Sequence, residues 1–188
     1  MSNVRAKVMA TTALLAVSSM VTGCGGSGER EYALPETLCG VDMAEELYEP
    51  LFPPGSELDV AQSFERFDSQ PTRWCRVLVD EEIVLNADAA GGDGFEDAGT
   101  ESRGLDMADA ESVSGEFEAV VWPGVAMATA ACAVPGPGGH NYIDQLTLVL
   151  ETEHPGDEDE SRRVLADVIQ PLFAGALEMT PCEENAVR

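Results

Sequence analysis

Five cysteines punctuate this chain of 188 residues, and their placement constrains the fold more than any other feature. Four of them, Cys39, Cys75, Cys132 and Cys182, lie far apart, and no two stand at C-x-x-C spacing. That disfavours a redox dithiol or a zinc knuckle. Whether they close disulfides depends on the compartment, because bridges persist only where it is oxidising. The N-terminus speaks to the compartment. Arg5 and Lys7 are the only charges among the first 23 residues, and the run from Val8 to Val21 is apolar with small hydroxyl residues. It is short for a membrane-spanning helix, which needs about 20 apolar residues, and it lacks the polar face of an amphipathic one. A basic start, a short apolar core and small residues before a cut site describe a secretory signal.

The fifth cysteine ends that run. Val21-Thr22-Gly23-Cys24 resembles the lipobox of bacterial lipoproteins: an aliphatic residue, two small ones, then cysteine. In that family the thiol receives a diacylglyceryl group and the signal is cut just before it. The resemblance implies removal of residues 1–23 by cleavage between Gly23 and Cys24, lipid attachment at Cys24, and a place on the outer face of the cell membrane. A diacyl group supplies two chains at one residue, and stable anchoring generally needs two membrane signals. Gly25-Gly26-Ser27-Gly28 reads as flexible, so residues 24–34 are expected as a tether and residues 35–188 as one domain. With Cys24 lipidated, the remaining cysteines are even in number, which implies two disulfides. One bond per half of the chain, Cys39–Cys75 and Cys132–Cys182, is the preferred pairing. Cys39–Cys182 with Cys75–Cys132 stays open.

The net charge is −25 at neutral pH, and Lys7 is the only lysine. Losing it with the signal removes the phosphate-gripping lysine of a P-loop and any lysine Schiff base. The acid excess argues against nucleic acid, whose affinity rests on neutralised phosphates, and against a polybasic grip on anionic lipid. It reads as solubility in an exposed environment.

Along the chain, Asp42 and Glu45 form a capping-box pattern before Ala44, Leu47, Tyr48 and Leu51, which share a helical face. Pro50 and Pro53-Pro54-Gly55 end that helix. Alternation predicts strands over Leu58 to Phe64, Trp74 to Val79 and Ile83 to Ala87, with a turn at Asp80-Glu81. Residues 88–112 carry acid, glycine, alanine and serine, too little apolar surface to order themselves, and are expected as a mobile acidic loop. Strands resume in EFEAVVW, turn at Pro123-Gly124, and continue in VAMATAACAV and YIDQLTLVLE. The last helix opens on acid, which the helix dipole favours, and its buried stripe is Val164, Leu165, Val168, Ile169, Leu172 and Phe173. Pro171 is expected to kink it. Strands bracketed by helices predict an α+β domain with a mostly antiparallel sheet of about six strands, an N-terminal and a C-terminal helix, and two disulfides.

Leu38-Cys39-Gly40 before a helix and Trp74-Cys75 opening a strand resemble a group of small actinobacterial surface lipoproteins of unknown function. Strand-borne Cys132 and the late Cys182 are similar to streptomycete members. The group brings no activity and no catalytic residues.

Chemistry is sparse. The two histidines are His140, in a Gly-Gly-His-Asn turn, and His154, before Pro155. No H-E-x-x-H or G-x-S-x-G motif occurs. His140 is the candidate base for a hydrolase. Asn86, Asp88, Asp93, Glu96 and Asp97 match a calcium loop in composition but not in order. Trp74, beside Cys75, is expected in the core against the disulfide. The resulting expectation is a non-catalytic, membrane-anchored extracytoplasmic protein without cofactor or metal. It would bind an envelope ligand or protein, or else serve as a structural envelope protein.

Overall fold

The computed structural model of the protein describes residues 28–62, 64, 73–92, 94–96 and 98–183. The apolar N-terminal run, Gly23 and Cys24 lie outside the described residues, as do Asp93 and Asp97.

Seven strands form one antiparallel sheet: β1 (Leu58–Gln62), β2 (Arg73–Val79), β3 (Glu82–Gly91), β4 (Glu111–Ser112), β5 (Glu118–Trp122), β6 (Val125–Pro135) and β7 (Asn141–Thr152). Their order is β1-β2-β3-β7-β6-β5-β4. Two meanders therefore meet at a seam: after β3 the chain crosses to the far edge and works back until β7 pairs with β3, Ala87 opposite Leu150. The strand beyond the expected six is β4, whose two residues are too short to show a period.

A long helix, α2 (Glu158–Glu178), covers one face. Asp157 caps it, Oδ1 accepting from the Glu160 N–H at 2.9 Å. The expected stripe from Val164 to Phe173 is fully buried against Ala119 and Val121 of β5, Ala126 and Ala128 of β6, and Leu146, Leu148 and Leu150 of β7. Burying each large apolar side chain contributes about 1.5–3 kcal/mol. The helix is continuous through Pro171.

Both disulfides take the preferred pairing. Cys39 bonds Cys75 and Cys132 bonds Cys182, with sequence separations of 36 and 50. Loops of that length stabilise by about 4 kcal/mol each through chain entropy. Arg73 adds a polar clamp. Its buried guanidinium donates to the Phe64 carbonyl at 3.0 Å, to the Ala176 carbonyl at 3.2 Å and to Thr180 Oγ1. It sits at the C-terminal end of α2, where the helix dipole favours a cation. Desolvation pushes its pKa down to about 10, so it stays charged at neutral pH.

Three expectations are corrected. The capping box does not form: α1 (Glu45–Tyr48) is a single turn whose N-cap is Ala44, with no side-chain cap, and it passes into a 3-10 turn, Glu49–Leu51. Leu38 and Val41 exchange both backbone hydrogen bonds, at 3.0 and 2.9 Å, across Cys39 and Gly40. These two have φ values of 56° and 85°. That turn, pinned by its disulfide, fixes the entry to α1, and Pro50 cuts the exit short. The domain also begins before residue 35. Glu31 donates its N–H to the Gly55 carbonyl at 2.9 Å, and Arg30 reaches the Phe52 carbonyl at 2.8 Å. Finally, residues 88–112 are not one loop. Their first four residues complete β3 and their last two are β4. The described residues between cross the second face of the sheet as a strap.

Candidate functional site

The strap exists because β5, β6 and β7 present apolar side chains on both faces. Val120, Trp122, Met127 and Val149 point away from α2, and Phe95 of the strap packs on them with Ala98, Leu105 and Ala110. Two polar ties hold it. Trp122 Nε1 donates to the Asp106 carbonyl at 2.9 Å. Arg103 donates to Glu151 Oε1 at 2.9 Å and to the Ala98 carbonyl at 2.5 Å.

Among the described residues that cover stops at β7, and they leave the other half of the face open. Strand register places Asp59 and Ala61 of β1, Trp74, Arg76 and Leu78 of β2, and Ile83, Asn86, Asp88 and Ala90 of β3 on it. Leu78 pairs with Ile83 because a register shift beyond Val77 absorbs Val84. Two of the chain's exposed large apolar residues belong to this patch: Trp74 is 39% and Ile83 53% exposed. The expected burial of Trp74 is thus a further correction. Cys75 points inward to its disulfide, so on a pleated strand its neighbours point out.

A continuous polar chain crosses the patch. Arg76 lies with its Cζ 5.2 Å from the Trp74 ring centroid and donates Nε to Asn86 Oδ1 at 3.2 Å. Asn86 Nδ2 donates to Asp88 Oδ2 at 2.8 Å and to Glu151 Oε2 at 3.0 Å. Glu151 then meets Arg103 of the strap. Both protons of the Asn86 amide and its oxygen are engaged, so it works as a fixed hub that orients Arg76. A shallow hollow of about 220 Å³ opens beside it, lined by Ile83, Asn86, Gly124, Glu151 and Glu153.

The structure separates the remaining candidates. His140 is exposed at the β6–β7 turn, and among the described residues its ring has no hydrogen bond to a carboxylate or a nucleophile. His154 sits at the approach to α2, its N–H on Thr152 Oγ1 at 3.1 Å. Asn86 and Asp88 belong to the open patch, whereas Glu96 is exposed on the strap. Among the described residues no group of three His, Cys, Asp or Glu side chains is placed to hold a metal ion. None of the described helices is long and apolar enough to cross a membrane. Trp74, Arg76 and Asn86 were not singled out together by the sequence; strict alternation around Cys75 points Trp74 and Arg76 outward, and Asn86 joins them only through register. Compared with known protein families, characterised proteins and solved structures, the chain matches none.

Proposed function

We propose that the protein is a membrane-anchored extracytoplasmic lipoprotein whose domain binds a protein partner of the cell envelope through the open half of the second sheet face. The observation that carries the binding role is the pairing of exposed Trp74 with Arg76, held in place by Asn86 and flanked by Leu78 and Ile83. Tryptophan and arginine dominate binding energy at protein interfaces when a rigid surround orients them. On a chain of net charge −25, Arg76 and the bordering Arg103 offset part of the charge of Asp59, Asp88 and Glu151, so the patch is less one-sidedly acidic than the chain as a whole. The anchor rests on the apolar run and on Val21-Thr22-Gly23-Cys24.

Two experiments test the two parts. Wild-type protein should incorporate labelled fatty acid and sediment with membranes, and Cys24→Ser should do neither. Wild-type protein in the aqueous phase with a free Cys24 thiol would overturn the anchor. A photoreactive residue at Ile83 should give one discrete protein adduct in cells that Arg76→Ala abolishes. The same residue at Asp167, exposed on α2, should give none. Equal adducts from both positions would overturn the binding face.

A further inference from the structure

No Asp, Glu, Lys or Arg occurs between Glu118 and Asp144, in a chain that carries 35 acidic residues. Much of that stretch is buried in β5 and β6, but its end is not. Pairing of β6 with β5 stops at Thr129, and pairing of β7 with β3 stops at Leu146. Beyond those points the two strands pair only with each other. They project as an arm whose tip, Pro135 to Tyr142, is largely exposed and uncharged. The arm lies at the opposite end of the sheet from Arg30, Gly55 and the Asp80-Glu81 turn, where the N-terminal segment joins the domain.

The tip is rigid for its size. Cys132–Cys182 bolts the arm to the segment after α2, and the Glu183 N–H donates to the Ala133 carbonyl at 2.8 Å. The Gly136 N–H closes the turn on the His140 carbonyl, also at 2.8 Å. A Cβ on Gly136 would stand 2.8 Å from that carbonyl, so only glycine lets the turn close this tightly. The Tyr142 ring remains 43% exposed. A register irregularity between β6 and β7 falls at Tyr142, between the pairs Val134–Ile143 and Pro135–Asn141. Asn141 Nδ2 donates to Asp144 Oδ1 at 2.6 Å, which fixes a carboxylate two residues from Tyr142.

We propose that this tip is a second contact surface, separate from the open face, and that it takes a neutral polyhydroxylated chain, a glycan. An exposed ring offers a flat apolar face to the C–H side of a sugar. A fixed carboxylate accepts strong hydrogen bonds from hydroxyls, and Asn141 and His140 add further polar groups. The charge pattern narrows the ligand class. A cation would gain more almost anywhere else on this surface, and an anion is repelled by the whole molecule. The size narrows it too, since a standard protein interface needs about 20–30 residues a side.

The test is amide NMR on the detergent-solubilised full chain, titrated with soluble tetrasaccharides of N-acetylglucosamine, glucose, mannose and galactose. At least one should shift residues 139–145 saturably, and Tyr142→Ala should weaken it about tenfold or more while leaving all other resonances in place. No shift with any of the four up to 10 mM, an about equal response in Tyr142→Ala, or shifts confined to Trp74 and its neighbours would overturn the proposal. So would sedimentation showing that Tyr142 mediates contact between two copies of the chain instead.

Discussion

On the helix side of the sheet, α2 lays a continuous buried stripe over β5, β6 and β7, and Arg73 and two disulfides fasten the surrounding chain. On the strap side, Phe95 with Ala98, Leu105 and Ala110 covers four buried sheet residues, two polar ties hold the strap, and among the described residues only half the face is covered. The same strands present both faces, so the difference lies in what the chain brings to each. A face that is packed throughout carries the stability of the fold. A face that is packed in part leaves room for something outside the chain, and its cover is the natural place for local opening.

Three changes probe that contrast. Leu165→Ala empties a fully buried position under α2. It should lower the global unfolding free energy by about 3 kcal/mol, read as a shifted urea midpoint with an unchanged slope. A loss below about 1 kcal/mol would mean that the helix face is not the main core. Trp122→Phe keeps a ring under the strap but deletes the donor to the Asp106 carbonyl. The cost should be about 1–2 kcal/mol, with amide protection lost in residues 98–110 before it is lost in α2. Uniform loss across the sheet would show that the strap does not open separately. Arg103→Gln breaks an ion pair whose partners are about one-quarter and one-third exposed, 26% and 33%. About 0.5–1 kcal/mol should go, because solvent screens such a pair, and added salt should narrow the gap from wild type. A salt-independent loss would place the role of Arg103 in its bond to the Ala98 carbonyl instead.

Much of the helix side was legible in the sequence. The α2 stripe from Val164 to Phe173 announces itself through its period, and an even cysteine count implies two bonds, of which one per half is the preferred pairing and the structure fixes it. The strap side was not, because its order comes from the sheet and not from its own composition. Phe95 and Leu105 are isolated apolar residues in an acidic stretch, and nothing local says that Val120, Trp122, Met127 and Val149 need cover. Trp74 beside Cys75 suggests packing on the disulfide, but the alternation that inward-facing Cys75 imposes on the strand turns it outward. Asp42 and Glu45 carry a real capping pattern, overridden by a turn that a distant cysteine holds. The open patch could not be assembled without register, since Arg76, Asn86 and Glu151 come from three strands.

One consequence follows from where the cross-links fall. Cys39–Cys75 closes within the first meander and Cys132–Cys182 within the second, and among the described residues no disulfide spans the crossover between them. A single cut in the strap therefore converts one polypeptide into a heterodimer. Its subunits share the β3–β7 ladder, the Arg73 clamp on the end of α2, and the contact of Val41 with Gly175. Each disulfide joins cysteines of one piece only, so no cross-link would tie the two pieces together. Rejoining would report the strength of the seam directly, with no covalent bond to mask it.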